Sequence, residues 1–156
     1  MADEKLERAQ KVYETMCSTL DSHEWNYKKN EEMLSIDCGA QGEDLPMEII
    51  IRVDAERQLI MLLSLLPFVI SEDKRLDMAI ATSVANNGIV DGCFDFDVAN
   101  GRMFFRMTSS FIESEIGSDL FTYMLMVSCH TIDEYNDRFL MLGKGMMSIE
   151  DFMKKE

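Results

Sequence analysis

Residues 93–107 read CFDFDVANGRMFFRM, and the fold of the chain can be worked outward from them. Asn100-Gly101 is a type I′ turn signal, because both central residues of that turn take φ > 0 and these residue types tolerate it. A turn centred there predicts Val98 opposite Met103, Phe96 opposite Phe105 and Phe94 opposite Met107, with every one of these apolar side chains on one face. The other face then carries Asp97 opposite Phe104 and Asp95 opposite Arg106, the latter an opposite-charge pair contributing about 0.2–1 kcal/mol. A slip of one residue would send half of the apolar set to solvent. The stretch therefore predicts an antiparallel sheet with one apolar and one polar face.

The strands upstream follow the same period. Trp25 and Tyr27 alternate with polar neighbours in a short strand, and Leu34, Ile36 and Cys38 do so in a second, ended by Gly39. After a polar loop, residues 40–46, Met47, Ile49, Ile51 and Val53 form a third strand. Residues 59–66 form a fourth, and here the alternation fails. Leu59, Met61, Leu63 and Leu65 fall on one side, Ile60, Leu62 and Leu66 on the other, with only Ser64 polar. A strand of a one-sided antiparallel sheet should alternate, so a cover is expected over its second face. Pro67 should stop the run, since it cannot donate to a central ladder.

Helices bracket these strands. Leu6, Ala9, Val12, Tyr13, Met16 and Leu20 recur at helical spacing before Asp21-Ser22. Ser71 is the expected N-cap of a second helix, with Glu72 and Asp73 in its first turn and Leu76, Ala79, Ile80 and Val84 as its buried stripe, ending at Asn86-Asn87-Gly88. A third helix is expected over residues 118–142, closed by Gly143-Lys144-Gly145, and Ser148-Ile149-Glu150-Asp151 reads as a capping box opening a short last one. The predicted order is α-β-β-β-β-α-β-β-α-α, an α+β fold in which helices pack on an antiparallel sheet. No repeat, linker or low-complexity tract divides residues 1–156, which read as a single domain.

Composition narrows the function classes. Asp and Glu total 29 against 15 Lys and Arg, a formal charge of −14. A field of that sign repels phosphate backbones and anionic lipid heads, so nucleic-acid and membrane roles are disfavoured. The longest apolar run, residues 59–70, falls short of the roughly 20 residues a membrane span needs. Cys17, Cys38, Cys93 and Cys129 show no framework spacing, and Met1-Ala2-Asp3-Glu4 lacks the pattern of a secretory signal. Both features point to a reducing, cytoplasmic setting.

Catalytic and metal patterns fail on spacing. His23-Glu24 opens like a zinc-protease motif, but Tyr27 stands where its second histidine belongs. Cys129 and His130 are neighbours on a helix, about 100° apart, and cannot form a nucleophile–base pair. Asp95-Phe96-Asp97 begins like a calcium loop, yet its twelfth position is Arg106 where a bidentate glutamate is needed. Gly143-Lys144-Gly145 is not a phosphate loop, because the motif's first glycine would fall at Arg138. Glu31-Glu32 and Glu43-Asp44 read as solvated charge in turns. Two features remain: 14 methionines, eight of them from Met103 onward, and Phe104 on the polar hairpin face between Arg102 and Arg106. Methionine is over-used at adaptable binding surfaces, though it also replaces Leu in cores. An aromatic flanked by arginines has the composition of an interface anchor, though single exposed aromatics are common.

Residues 76–145 carry a resemblance. Asn86 closing a helix, Gly92-Cys93-Phe94-Asp95-Phe96-Asp97, Gly101-Arg102-Met103-Phe104-Phe105-Arg106, Ile132-Asp133-Glu134-Tyr135 and Gly145 together resemble the YbjN-like family of bacterial sensory-transduction regulators. With the strands before Pro67 the likeness covers most of the chain. Asp133-Glu134-Tyr135-Asn136 departs from it, where the family is more aromatic and carries a proline. The resemblance implies a fold like that of the type III secretion chaperones, which are small, acidic, often dimeric proteins that bind polypeptides without catalysis. It transfers no catalytic residue.

The leading expectation is a non-enzymatic, chaperone-like adaptor or regulator in bacterial signalling, homodimeric, with a polypeptide partner and no cofactor. Phe104, Arg102, Arg106, Leu59, Met61 and Leu63 are its candidate partner-binding residues. The alternative is a small-molecule sensor with a pocket between sheet and helices lined by Trp25, Tyr27, Phe94 and Phe96.

Overall fold

The computed structural model describes residues 2–154. Its order is α1 (Ala2–Ser22), β1 (Tyr27–Asn30), β2 (Ser35–Gln41), β3 (Pro46–Asp54), β4 (Leu59–Val69), α2 (Arg75–Asn87), β5 (Cys93–Asp97), β6 (Arg102–Ser110), α3 (Ser118–Gly143) and α4 (Ile149–Met153). This is the expected α+β succession. The strands form one antiparallel sheet in the order β1-β2-β3-β4-β6-β5, so β6 inserts between β4 and β5.

The inner face of the sheet is continuous in rows across the strands. Ile36, Ile51, Leu62 and Met107 stand side by side, as do Cys38, Ile49, Ser64, Phe105 and Phe94. Against them pack Ala9, Val12, Tyr13, Met16 and Leu20 of α1 and Phe121, Met124, Leu125, Ile132, Tyr135, Phe139 and Leu142 of α3, all buried in one core. Leu6, counted into the stripe of α1 from its spacing, lies outside that core and is exposed. Phe94 anchors one end of the core. Its ring meets Phe105, Tyr135 and Phe139 edge-on, with centroids 5.2, 5.6 and 5.0 Å away, within the 4.5–7 Å range of favourable aromatic pairs.

The hairpin keeps its faces but not its predicted pairing. Phe94 is opposite Phe105, Phe96 opposite Met103, Asp95 opposite Phe104 and Asp97 opposite Arg102. The register is offset by two residues from that of an Asn-Gly turn, and an even offset returns every side chain to the same face. The cause is Asp97, whose carboxylate accepts from the backbone N–H groups of Ala99 and Asn100 at 2.9 and 3.3 Å. That Asx turn spreads the loop over residues 98–101, and of Asn100 and Gly101 only Gly101 takes positive φ, +69°. Arg75 of α2 donates to the Val98 and Ala99 carbonyls at 3.3 and 2.7 Å and holds the loop against the helix.

Two other expectations are corrected. Pro67 does not end β4; the strand runs on to Val69 through a register shift between Leu65 and Val69, and a bulge is where a strand tolerates proline. On α2 the buried residues are Met78, Ala81, Thr82 and Ala85, while Leu76 and Ile80 are 73% and 41% exposed. Ser71 caps a 3-10 turn, residues 72–74, that leads into α2, without a side-chain bond. Ser148 does cap α4, accepting from the Asp151 N–H at 3.1 Å.

Candidate functional site

The outer face of the sheet is built by the residues one step from each core position. Its middle row runs Asp37, Ile50, Leu63, Arg106 and Cys93. On one side lies the row Gly39, Glu48, Leu65, Phe104 and Asp95, and on the other Ser35, Arg52, Met61 and Thr108. Leu59 extends the apolar stripe between Asp54 and Ser110. Ile50, Leu59, Met61, Leu63, Leu65 and Phe104 are half-buried, and none of them belongs to the core or packs against it. Among the described residues, the core that carries the helices does not extend over this side of β4, so the expected cover is not found there.

The structure therefore brings the six candidate residues onto one surface. Leu59, Met61 and Leu63 come from β4; Phe104 stands beside Leu65, and Arg106 beside Leu63. Arg102 lies at the start of β6, exposed, opposite Val69. Arg106 reaches diagonally to Asp95, with Nε and a terminal nitrogen donating to its two carboxylate oxygens at 2.6 and 3.3 Å. The pair is half-exposed and contributes about 0–1 kcal/mol to stability. On the surface it sets a neutralised guanidinium beside the apolar stripe.

Ile50, Glu48 and Arg52, none of them a candidate from the sequence, also belong to this surface, beside Leu65, which the pattern of β4 already places with Leu59, Met61 and Leu63. The signal was present in Ile49-Ile50-Ile51, since consecutive isoleucines break alternation on β3 just as the leucines do on β4.

The two edges of the sheet differ. Asn86 clamps β5, donating to the Phe94 carbonyl and accepting from the Phe94 N–H, both at 2.8 Å. An amide used in this way replaces a neighbouring strand and blunts the edge. At the other edge β1 is short, with Lys28, Lys29 and Asn30 exposed.

The aromatic pocket does not assemble. Trp25 and Tyr27 lie at the β1 end of the sheet and Phe94 and Phe96 on β5 at the other, five strand spacings or about 24 Å away. A polar groove of about 460 Å³ opens instead between α1 and the β1–β2 hairpin, lined by Tyr13, Cys17, Asp21, Lys29 and Glu31 among others. Tyr27 Oη donates to Asp21 at 2.9 Å beside it. Burial pushes the Tyr13 hydroxyl up to about 12 and raises the Cys17 thiol. Burial likewise pushes Cys38 up to about 12 and raises Cys93 and Cys129, which disfavours the thiolate form at neutral pH.

His23, in the turn after α1, and His130, on α3, are both exposed. Among the described residues no group of three or more His, Cys, Asp or Glu is placed to hold a metal ion, and no helix is long and apolar enough to cross a membrane. Asp95 and Asp97, read as a possible calcium-loop start, are engaged by Arg106 and by the hairpin loop.

The chain is similar in fold to YbjN from E. coli, whose crystal structure is described as that of "a putative transcription regulator". The TM-score is 0.58 at 13% identity, over 81% of this chain and 92% of the other. No family model matches the sequence, and no curated protein does.

Proposed function

We propose that the chain is a non-enzymatic polypeptide-binding module, an adaptor or regulator, whose contact surface is the outer face of β3, β4 and β6. One observation carries this reading. Leu59, Met61, Leu63 and Leu65 form an apolar stripe that, among the described residues, lies outside the helix-covered core, flanked by Ile50 and Phe104. Contiguous apolar surface rimmed by charge is the physical mark of a protein contact, and Phe104 beside Arg106 supplies the aromatic and arginine types enriched at such contacts. The YbjN-like fold is consistent with a regulator.

The test is photo-crosslinking from within the surface. A photoreactive phenylalanine analogue at position 104, expressed in the native host, should give a discrete adduct with a polypeptide that Leu63→Glu abolishes. The same analogue replacing exposed Tyr123 of α3 serves as the control and should not give that adduct. Absence of any polypeptide adduct at 104 would sink the reading. The polar groove beside α1 is a feature that favours a small-molecule sensor. Its lining is charged rather than apolar, unlike most ligand pockets, so it stands second.

A further inference from the structure

We propose that the outer sheet face receives an amphipathic helix of a different polypeptide, lying along β4 over Leu59, Met61, Leu63 and Leu65. The inference rests on the docking reading above and gives its occupant a form. An extended segment laid flat on these side chains would bury its own N–H and C=O groups without partners, because ladder bonds form only at the edges of a sheet. A sheet face is covered by an element whose backbone is satisfied internally, which leaves a helix or a second sheet.

The shape of the apolar area decides between them. From Ile50 on β3 to Phe104 on β6 it is two strand spacings wide, about 10 Å. From Leu59 to Leu65 it is about 20 Å long. A helix is about 10–12 Å across, and about 13 of its residues, between three and four turns, cover that length. A second sheet is wider than the band. It would press on Asp37 of β2, one strand beyond Ile50, which is exposed and has no ion pair among the described residues. Burying a carboxylate without a counter-charge is costly.

Charge at the rim gives the helix its second mark. Glu48 and Arg52 stand on β3 two residues to either side of Ile50, both exposed and neither in an ion pair among the described residues. Along the strand they are about 13 Å apart. A helix complementary to this rim carries a basic and an acidic residue two to three turns apart on one edge of its apolar stripe. On the β6 side Arg106 is already held by Asp95, with the shorter contact at 2.6 Å, and calls for no counter-charge.

Photo-crosslinking from the two ends of the stripe is the test. A photoreactive amino acid placed singly at Leu59 and at Leu65 of the full chain, in the native host, should join both positions to one segment of one polypeptide. The two attachment sites, mapped by mass spectrometry, should lie about 13 residues apart, because a helix rises about 1.5 Å per residue. An extended segment would place them about six residues apart, and a second sheet would spread them over separate segments. Either pattern overturns the helix while keeping the docking reading, and so does an adduct to the chain itself. No polypeptide adduct at either position overturns both. Arg52→Glu should lower the adduct yield about threefold or more, as an attraction at the rim becomes a repulsion. Lys28→Glu makes the same change of charge on the edge strand β1, two strands from β3, and should leave the yield unchanged. Equal losses in the two variants would overturn the charge placement.

Discussion

Along β4, Ile60, Leu62 and Leu66 are at most 2% exposed beneath the helical layer, while Leu59, Met61, Leu63 and Leu65, each one residue away, are only partly buried. The two sets are almost equal in side-chain volume and hydrophobicity. What differs is the neighbour: the first set lies in one core with α1 and α3, whereas among the described residues the second set lies outside that core. Hydrophobicity sets how much a side chain gains from burial, but not whether the chain has a layer left to bury it. A surplus of apolar surface after folding is the physical content of the docking proposal.

Several substitutions break or sharpen this contrast. The largest effect is expected at Leu62→Ala, where a fully buried side chain leaves a cavity at a cost of about 2–5 kcal/mol. Leu63→Ala, read by urea unfolding at low protein concentration, should cost less than about 1 kcal/mol. Equal losses would mean that the outer face is covered within the monomer. Gly101→Val should cost about 2 kcal/mol or more, since φ of +69° strains a β-branched residue and its Cβ would be driven into the Ile70 carbonyl oxygen. That carbonyl lies where the hairpin meets the end of β4, which the Ile70 N–H secures to the Gly101 oxygen at 2.8 Å. An unchanged melting temperature would mean the loop is not the one described.

Ser64 offers a gain. It sits on the inner face, its hydroxyl buried with no hydrogen-bond partner among the described residues. Ser64→Ala removes an unsatisfied polar group and should stabilise by up to about 1 kcal/mol; a loss would point to a partner for that hydroxyl.

The smallest effect concerns the hairpin loop. The Asn100 side chain, followed by the Asn100 and Ala99 N–H groups, holds the Asp97 carboxyl below its usual value. A depressed folded-state value means that the carboxylate contributes stability above the unfolded value, about 3.9, and loses it as pH falls through the folded one. Asp97→Asn should therefore unfold at lower urea than the wild type at neutral pH, and the gap should close on acidification below about pH 4. A gap that persists in acid would assign the effect to loop geometry rather than charge.

Much of this was legible in local pattern. Alternation at Met47, Ile49, Ile51 and Val53, and helical spacing at Ala9, Val12, Met16 and Leu20, located strands and helices correctly because each pattern depends only on near neighbours. The hairpin shows the limit. Asn100-Gly101 satisfies the preference for a tight turn, but Asp97, outside that turn, accepts from two N–H groups and widens the loop. On α2 the spacing of Leu76, Ala79, Ile80 and Val84 was real but pointed the wrong way. The helix has a second arc, Met78, Ala81 and Ala85, whose small residues allow close approach to its neighbours, and that arc faces inward.

The candidate surface divides in the same manner. That β4 is apolar on both sides, that Phe104 shares a face with Arg102 and Arg106, and that an antiparallel sheet carries helices all follow from the sequence by itself, through periods of two and 3.6 residues. Which side of β4 the helices cover, that β6 lies beside β4 and so brings Phe104 to Leu65, and that β3 adds Glu48 and Arg52 on either side of Ile50 were decided only by the tertiary structure. Those outcomes depend on contacts between residues tens of positions apart. They are settled by the sum of packing over the whole core, to which no single stretch of the chain has access.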